Sequence, residues 1–312
     1  MRLLICGWQG QIAKALVAMV PGRADVTSFA VGRPARDLCE QPTLRRALSD
    51  ASPDVIINAA AYTDIDGAES DVDEAQALNC DGARMMAEAA TEYGAAIIQM
   101  STDYVFDGSG EAPWREEDRP NPQCVYGMTK LAGERAVQAA NPRHIILRTA
   151  WVYSAKGSGF VDVIAERAGD GSPVEAVADQ VGSPTYATHL ATTVLDLAGQ
   201  IADRAEGDPA WGIYHAAGRG HASRYDMAHA IVDEMASGAD VGSAPSEVTA
   251  VASDQFPCVV PRPKNARLSC GKLDEVFGLG LPHWREGVRE CVAERLSDAT
   301  NRVAPSVVDI RT

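Results

Sequence analysis

Short apolar runs alternate with segments of helical periodicity along the first half of the chain. Five runs are apolar enough to predict buried strands, at residues 2–6, 25–31, 54–58, 95–100 and 144–148. Between them, apolar positions recur every three or four residues and predict helices at 11–20, 44–48, 71–93 and 127–140. Strands that alternate with helices at this spacing predict an α/β protein built on a doubly wound parallel sheet.

The alternation loosens beyond Ser154, where shorter and less regular elements are predicted. Helical periodicity indicates helices at 160–168, 188–198 and 223–235, and a short apolar run indicates a strand at 212–216. Turn-rich loops occupy 179–185 and 261–268. We therefore place a boundary near residue 152. A smaller C-terminal region at 153–300, partly interleaved with the first, and a frayed tail at 301–312 are expected to follow.

The first predicted strand ends in a glycine turn with the spacing of a phosphate-binding loop. Gly7 permits the turn, and Gly10 lets a pyrophosphate approach backbone N–H groups at the start of the next helix. Ala13 stands where the dinucleotide fingerprint has a third glycine or an alanine. Strand, turn and helix in this order indicate a Rossmann-like dinucleotide-binding fold, with a plain strand–helix turn as the alternative.

Further candidate cofactor contacts follow the second and third strands. Arg33 stands where a cofactor without a 2′-phosphate usually meets an acidic residue, and a guanidinium suits a 2′-phosphate. A solvated loop arginine explains this position equally well. Asp37 and Leu38 follow where the chain could pass an adenine. Small residues at 59–61 end the third strand and let a cofactor lie against the backbone.

A candidate proton donor lies between the fourth strand and the next helix. Tyr126 and Lys130 are four residues apart, so they share one face of a helix. A free phenol has a pKa of about 10, and a nearby ammonium favours the phenolate and lowers that pKa. Thr102 follows the apolar run, at a strand's carboxyl end where such sheets build their sites. Together the three groups can polarise and protonate a carbonyl oxygen, although each alone is common in proteins without such a role.

Three other positions have two interpretations each. Asn79 lies on the apolar stripe of the helix 71–93, where we favour a bond to neighbouring backbone over a catalytic role. Trp151, just past a strand end, either walls a sugar or fills the core. Arg262 belongs to a loop with three cations, which is either solvated or binds a pyrophosphate.

Composition and charge exclude several classes of function. The 312 residues carry a formal net charge of -15 and a sequence pI near 4.8, which argues against a nucleic-acid-binding surface. Seven cysteines occur without a C-x-x-C pair, which indicates free thiols in a reducing cytoplasm rather than a disulfide framework or a zinc site. A signal peptide and a membrane-spanning apolar run are not expected.

Four segments together carry a family resemblance: Gly7-x-x-Gly10-Gln11-Ile12-Ala13, Asn58-Ala59-Ala60-Ala61-Tyr62-Thr63, Ser101-Thr102-Asp103-Tyr104-Val105-Phe106-Asp107-Gly108 and Tyr126-Gly127-x-Thr129-Lys130-Leu131-Ala132-Gly133-Glu134. They resemble the extended short-chain dehydrogenase/reductases and, more narrowly, the dTDP-4-dehydrorhamnose reductase family. Matches at 148–153, 179–185 and 262–263 extend the resemblance, which runs from residue 1 to about 290.

The resemblance implies reduction of the C4 ketone of dTDP-4-dehydro-L-rhamnose by NADPH or NADH, the last step of dTDP-L-rhamnose synthesis. On matching positions it makes Tyr126 the proton donor and Thr102 a ligand of the reacting oxygen. It also implies that Lys130 binds the cofactor ribose and lowers the pKa of the Tyr126 phenol. It further implies that the cofactor pyrophosphate is bound by Gly10, Gln11 and Ile12. The nicotinamide side would contact Ala61, Tyr62 and Thr63, and the sugar would contact Asp103 and Trp151.

The resemblance also implies an NAD(P)-binding Rossmann domain at 1–152 and a region at 153–300 that mainly binds the nucleotide sugar. Arg33 favours NADPH, with NADH as the other cofactor. Some members form a magnesium-bridged dimer through glutamates, but the region around His189 lacks a matching glutamate, so no metal is expected and a homodimer stays open. Two alternatives remain: a reductase or epimerase of another nucleotide sugar, and a non-catalytic NADP-binding module like the methionine adenosyltransferase regulatory subunit.

Overall fold

A computed structural model describes residues 1–32, 40–156, 159–238, 247–256 and 258–303. Three predicted cofactor residues, Arg33, Asp37 and Leu38, lie outside the described residues. The strands are β1 (Arg2–Cys6), β2 (Thr27–Val31), β3 (Val55–Asn58), β4 (Ala96–Thr102), β5 (His144–Thr149), β6 (Val152–Tyr153), β7 (Val174–Val177), β8 (Val181–Gly182), β9 (Thr185–Tyr186), β10 (Gly212–His215), β11 (Ala222–Ser223), β12 (Val248–Val251) and β13 (Asn265–Ala266).

Helices connect these strands. They are α1 (Gln11–Met19), α2 (Gln41–Ala51), α3 (Val72–Gln76), α4 (Ala83–Glu92), α5 (Val125–Ala140), α6 (Phe160–Asp170), α7 (Ala187–Ile201), α8 (Arg224–Gly238), α9 (Gly271–Phe277) and α10 (Trp284–Val303). A π-helical turn, Ala77–Gly82, joins α3 to α4. Among the described residues, no helix combines the length and apolar character needed to cross a membrane.

Six strands form one parallel sheet in the order β10-β5-β4-β3-β1-β2. The chain winds outward from β1 in both directions, so the winding reverses between β1 and β3. Open α/β sheets bind ligands outside the carboxyl ends of their strands at such a switch point. Gly7 follows β1 at this point with φ of +116°, a conformation that favours glycine. The predicted doubly wound sheet is confirmed, and its glycine turn lies where a ligand is expected.

Two apolar layers sandwich the sheet because side chains alternate between its faces. Leu3 and Ile5 of β1 pack on one side with residues of α1 and α7, whereas Leu4 and Cys6 pack on the other with α2 and α4. Helix α7 comes from the C-terminal half, as does β10, the sixth strand. Both halves of the chain therefore contribute a strand or a helix to the sheet and its layers.

The rest of the C-terminal half forms a smaller layered unit beside the carboxyl edge of the sheet. Its core is made by α6, α8 and α10, which pack together around Ile164, Ile231 and Val288. Short strands surround it, with β8 between β11 and β13 and with β7 paired to β12. This arrangement brings the start of α8 against the sheet's carboxyl edge, where the predicted site residues lie.

Candidate active site

Helix α5 carries the predicted tyrosine–lysine pair to the end of β4. The helix begins at Val125, and the Cys124 Sγ caps it by accepting a hydrogen bond from Gly127 N at 3.5 Å. Gly127 lets the helix lie against the turn after β4, since a Cβ there would stand 2.2 Å from Tyr104 O. The Lys130 Nζ donates to Met100 O at 2.7 Å, and only 4% of this residue is exposed. The helix is therefore fixed to the sheet at the level of Tyr126.

A cavity of about 370 Å³ opens at the sheet's switch point and brings most of the predicted residues together. Its lining includes Gly10, Gln11, Ile12, Ala61, Thr63, Thr102, Asp103, Tyr126, Lys130 and Trp151. Gly7 lies outside the lining, although its turn shapes the loop. Tyr62 also lies outside it and donates its hydroxyl proton to Asp71 Oδ2 at 2.8 Å.

Thr102 and Asp103 place two oxygen atoms for polar recognition at the end of β4. The Thr102 Oγ1 donates to Asp103 Oδ1 at 3.0 Å and accepts from Tyr104 N at 3.2 Å. Burial raises the pKa of the Asp103 carboxyl to about 7. Its Oδ2 is buried and has no hydrogen-bond partner among the described residues, and the same holds for Thr149 Oγ1 on the cavity wall. A polar ligand would satisfy both atoms.

The expected lowering of the Tyr126 pKa by Lys130 is not found in the structure. Burial raises the pKa of the Tyr126 phenol above its usual value, and the Thr102 hydroxyl opposes this only in part. Burial also lowers the pKa of the Lys130 amine to about 8, against the pull of the Glu134 carboxylate. Desolvation of the buried phenol therefore outweighs the effect that the spacing of Tyr126 and Lys130 predicts. Tyr126 is thereby held as a protonated phenol, the form that a proton donor needs.

The helix predicted at 71–93 is interrupted where it approaches this cavity. Residues 77–82 form a π-helical turn, and Asn79 within it is buried. The Asn79 side chain accepts from Tyr62 N at 2.9 Å and donates to Tyr62 O at 3.2 Å and to Thr129 Oγ1 at 3.1 Å. These bonds support the favoured structural role. They tie the loop after β3, which lines the cavity, to helix α5.

Trp151 and Arg224 separate the cavity from a second one of about 460 Å³, and both residues line both cavities. The Arg224 guanidinium lies 3.8 Å from the centre of the Trp151 ring and 5.0 Å from that of Phe160. Trp151 is held at φ of +46° against Gly182, where a Cβ would stand 2.4 Å from its ring. Trp151 lines both cavities and also packs against a buried apolar cluster, so its contact with a sugar stays a prediction.

Arg224 is the cation that sequence reasoning missed. It follows β11 at the start of α8, far along the chain from the other site residues, and no motif marks it. Its guanidinium makes no hydrogen bond or ion pair with the described residues. Asp103 and Tyr104 raise the pKa of Arg224, but burial outweighs them and lowers it to about 10. An unpaired guanidinium over an aromatic ring is suited to an anionic ligand.

Arg262, the predicted pyrophosphate ligand, lines the second cavity but already has an anionic partner. It donates to both carboxylate oxygens of Asp66, at 2.9 and 2.8 Å, and to Val260 O at 3.1 Å. This hydrogen bonding and the cation's charge hold the pKa of the Asp66 carboxyl below its usual value. The ion pair joins the loop after β3 to the C-terminal half, so Arg262 has a structural contact that the sequence did not predict.

A Rossmann-like sheet whose tyrosine–lysine helix flanks the glycine turn defines the class of extended short-chain dehydrogenase/reductases. Within this class, the family model of the RmlD substrate binding domain matches residues 1–297, and the chain belongs to that family of dTDP-4-dehydrorhamnose reductases. The dTDP-4-dehydrorhamnose reductase of Sinorhizobium fredii is 42% identical over 295 residues, covering 94% of this chain and 97% of the relative. That of Escherichia coli is 36% identical over 296 residues, covering 94% and 98%.

Solved structures of the same family agree with this fold. The dTDP-4-dehydrorhamnose reductase of Clostridium acetobutylicum superposes with a TM-score of 0.84 at 33% identity, covering 94% of this chain and 99% of that one. The Bacillus anthracis enzyme, solved in complex with NADP, gives a TM-score of 0.83 at 30% identity with the same coverage. The predicted family is confirmed, and the protein is a reductase.

Proposed function

We propose that this protein reduces the C4 ketone of dTDP-4-dehydro-L-rhamnose with NADPH, forming dTDP-L-rhamnose, and that it does so in the cytoplasm. The observation that carries this proposal is the convergence of Thr102, Tyr126 and Lys130 on one cavity at the sheet's switch point. The similarity to curated reductases over nearly the whole chain supports the choice of substrate. The six described cysteines are all free, in keeping with a reducing compartment.

The residues present fit a dinucleotide at this site. Helix α1 offers its N-terminus to the cavity through Gly10, Gln11 and Ile12, and no described residue other than its chain neighbours has an atom within 4 Å of where a Gly10 Cβ would be. Ala59, Ala60 and Ala61 present small side chains to the same cavity. We assign the pyrophosphate to the first group and the nicotinamide side to Ala61 and Thr63. The bound cofactor supplies hydride, and the protein supplies placement and a proton.

Tyr126 and Thr102 would meet the charge that develops on the C4 oxygen. Both hydroxyls donate hydrogen bonds to that oxygen, and Tyr126 gives up its proton as the oxygen becomes an alkoxide. Lys130 holds the cofactor ribose. Asp103 Oδ2 and the Thr149 hydroxyl have no hydrogen-bond partner in the described part of the chain, so both are suited to sugar hydroxyl groups.

Steady-state turnover on a panel of 4-keto nucleotide sugars tests the proposal. Oxidation of NADPH is followed at saturating cofactor, with dTDP-4-dehydro-L-rhamnose and matched UDP and GDP 4-keto sugars. A kcat/KM clearly highest for the dTDP-rhamnose precursor supports it. A higher kcat/KM for another sugar would identify the protein as a reductase of that nucleotide sugar instead. Cofactor binding without any turnover would favour a non-catalytic binding module.

The cofactor preference gives one expected result. Arg33 follows β2, where a guanidinium would bind a 2′-phosphate. Arg33→Ala should raise the KM for NADPH by about tenfold or more and leave that for NADH within a few-fold, because charge-assisted hydrogen bonds contribute about 1.5–3 kcal/mol. Arg115→Ala removes an exposed cation as the control. Equal changes for the two cofactors would make Arg33 a surface residue.

The diphosphate of the proposed substrate leads to a second expected result. Arg224 has no ion-pair partner among the described residues and lies on the wall between the cavities, so we assign it to this anion, with Arg262 behind its ion pair in a lesser role. Arg224→Gln should raise the KM for the nucleotide sugar by about 10- to 100-fold while kcat stays within a few-fold. The same change at Arg115 is the control. A large fall in kcat at unchanged KM would contradict a binding role.

A further inference from the structure

A buried ion pair lies beneath the tyrosine–lysine pair and has no part in the roles assigned so far. Glu134 follows Lys130 by four residues on α5, so Tyr126, Lys130 and Glu134 form one stripe on the helix. Its partner is Arg148 of β5, and each residue is only 1% exposed. Charges this deeply buried are costly unless they are paired and hydrogen-bonded. The burial of both charges in the core therefore indicates that the pair has a structural or functional role.

Three hydrogen bonds fix the Glu134 carboxylate. Its Oε1 accepts from Ser101 Oγ at 2.5 Å and from Arg148 Nε at 2.9 Å, and its Oε2 accepts from Arg148 Nη2 at 2.6 Å. The donors belong to two neighbouring strands, β4 and β5, just before Thr102 and Thr149 of the cavity wall. The carboxylate therefore locks α5 to both strands at the level of the reacting groups.

The same carboxylate acts on the Lys130 amine. Burial disfavours the ammonium form of Lys130, and Glu134 supplies the negative charge that opposes this effect. Tyr126 shares the helix, Asp103 lines the same cavity and Arg148 stands behind Glu134. The other acidic and basic side chains of the segments that pack on α5 are Glu69, Asp73, Glu74, Asp81, Arg84, Glu88, Glu92 and His144. Of these, Arg84 pairs with Asp81 and Glu88, and Glu92 pairs with Arg45.

We propose that Glu134 is a positioning residue of this reductase, which keeps Lys130 charged and in place and is itself held by Ser101 and Arg148. The inference rests on the proposed role of Lys130 at the cofactor ribose. Removing the carboxylate would leave two cations, Lys130 and Arg148, in the same buried layer. The amine would then lose its proton at lower pH, and the cofactor and the phenol would lose their cationic neighbour.

The test compares Glu134→Gln with Glu134→Asp. The first removes the charge at nearly constant shape, whereas the second keeps the charge and shortens the side chain. NADPH dissociation constants and kcat are measured from pH 6 to 9.5. For Glu134→Gln we expect the alkaline loss of both to begin at lower pH, giving a deficit of about tenfold near pH 8.5 that shrinks towards pH 6, as one pKa unit corresponds to a tenfold change. Glu134→Asp should keep the wild-type profile more closely.

Asp162→Asn provides a structural control, because Asp162 is buried and ion-paired with Arg295 away from the cavity. It should lower stability and leave the pH profile unmoved.

If Glu134→Gln does not fold, Ser101→Ala tests the proposal in its place. It keeps the ion pair, removes one anchor, and should shift the profile in the same direction by less. An unshifted profile in the folded variant, or the same profile for Glu134→Gln and Glu134→Asp, overturns the proposal. The cofactor-binding measurement stands even if wild-type protein turns over no sugar, so the two proposals fail separately.

Discussion

Tyr126→Phe should lower kcat by about 10²- to 10⁴-fold, the usual effect of losing an acid–base group. The substitution removes one oxygen and leaves the ring that packs edge-on against Tyr104, with centroids 5.6 Å apart. Cofactor affinity should stay within a few-fold, because Lys130 keeps its bond to Met100 O. Single-turnover measurement of NADPH oxidation at saturating substrate isolates the chemical step from product release.

Tyr104→Phe is the matched control for this substitution. It makes the same chemical change on the same cavity wall, at a phenol to which no proton transfer is assigned. We expect its kcat to remain within a few-fold of the wild-type value. Comparable losses in the two variants, or full activity in Tyr126→Phe, would remove Tyr126 from its role as proton donor.

The fold and the core of the site were predictable because both are encoded locally. Strand and helix periodicities are visible within short windows, and the Tyr126–Lys130 spacing needs only one helical turn. The glycine turn and the strand-end hydroxyl of Thr102 lie next to the elements that position them. The structure brings Thr102, Tyr126 and Lys130 to one cavity, whereas Gly7 and Tyr62, which were also predicted from local motifs, lie outside its lining.

Features that depend on distant parts of the chain were not predictable in this way. Arg224 reaches the site only because the smaller unit brings the start of α8 to the cavity, and Arg262 is paired with Asp66 from the other half of the chain. The rise in the Tyr126 pKa follows from burial, which no spacing rule reports. Glu134 was visible as part of a motif, but its meaning depends on Arg148 from another strand.

Gly133→Ala should lower the free energy of unfolding by about 3 kcal/mol, at the upper end of the usual cost of overpacking. Gly133 faces the π-helical turn, and a Cβ there would stand 2.0 Å from Asn79 O. That oxygen is backbone, so relief requires α5 or the π-helical turn to move. Helix α5 carries Tyr126 and Lys130, and the Asn79 side chain of the π-helical turn bonds to Tyr62 and Thr129. We therefore expect reduced kcat/KM together with a Tm lowered on the order of 10 °C.

Gly199→Ala makes the same substitution inside another helix, α7, where no described atom outside the neighbouring helix backbone lies within 4 Å of the new Cβ. Helix propensity alone then acts, and it favours alanine over glycine by about 0.8–1 kcal/mol. The two variants should thus change stability in opposite directions, as measured by urea unfolding at equal protein concentration. A stabilised Gly133→Ala would mean that α5 and the π-helical turn are packed more loosely than the close approach of Gly133 to Asn79 requires. The anchoring of Tyr126 and Lys130 through this contact would then be wrong.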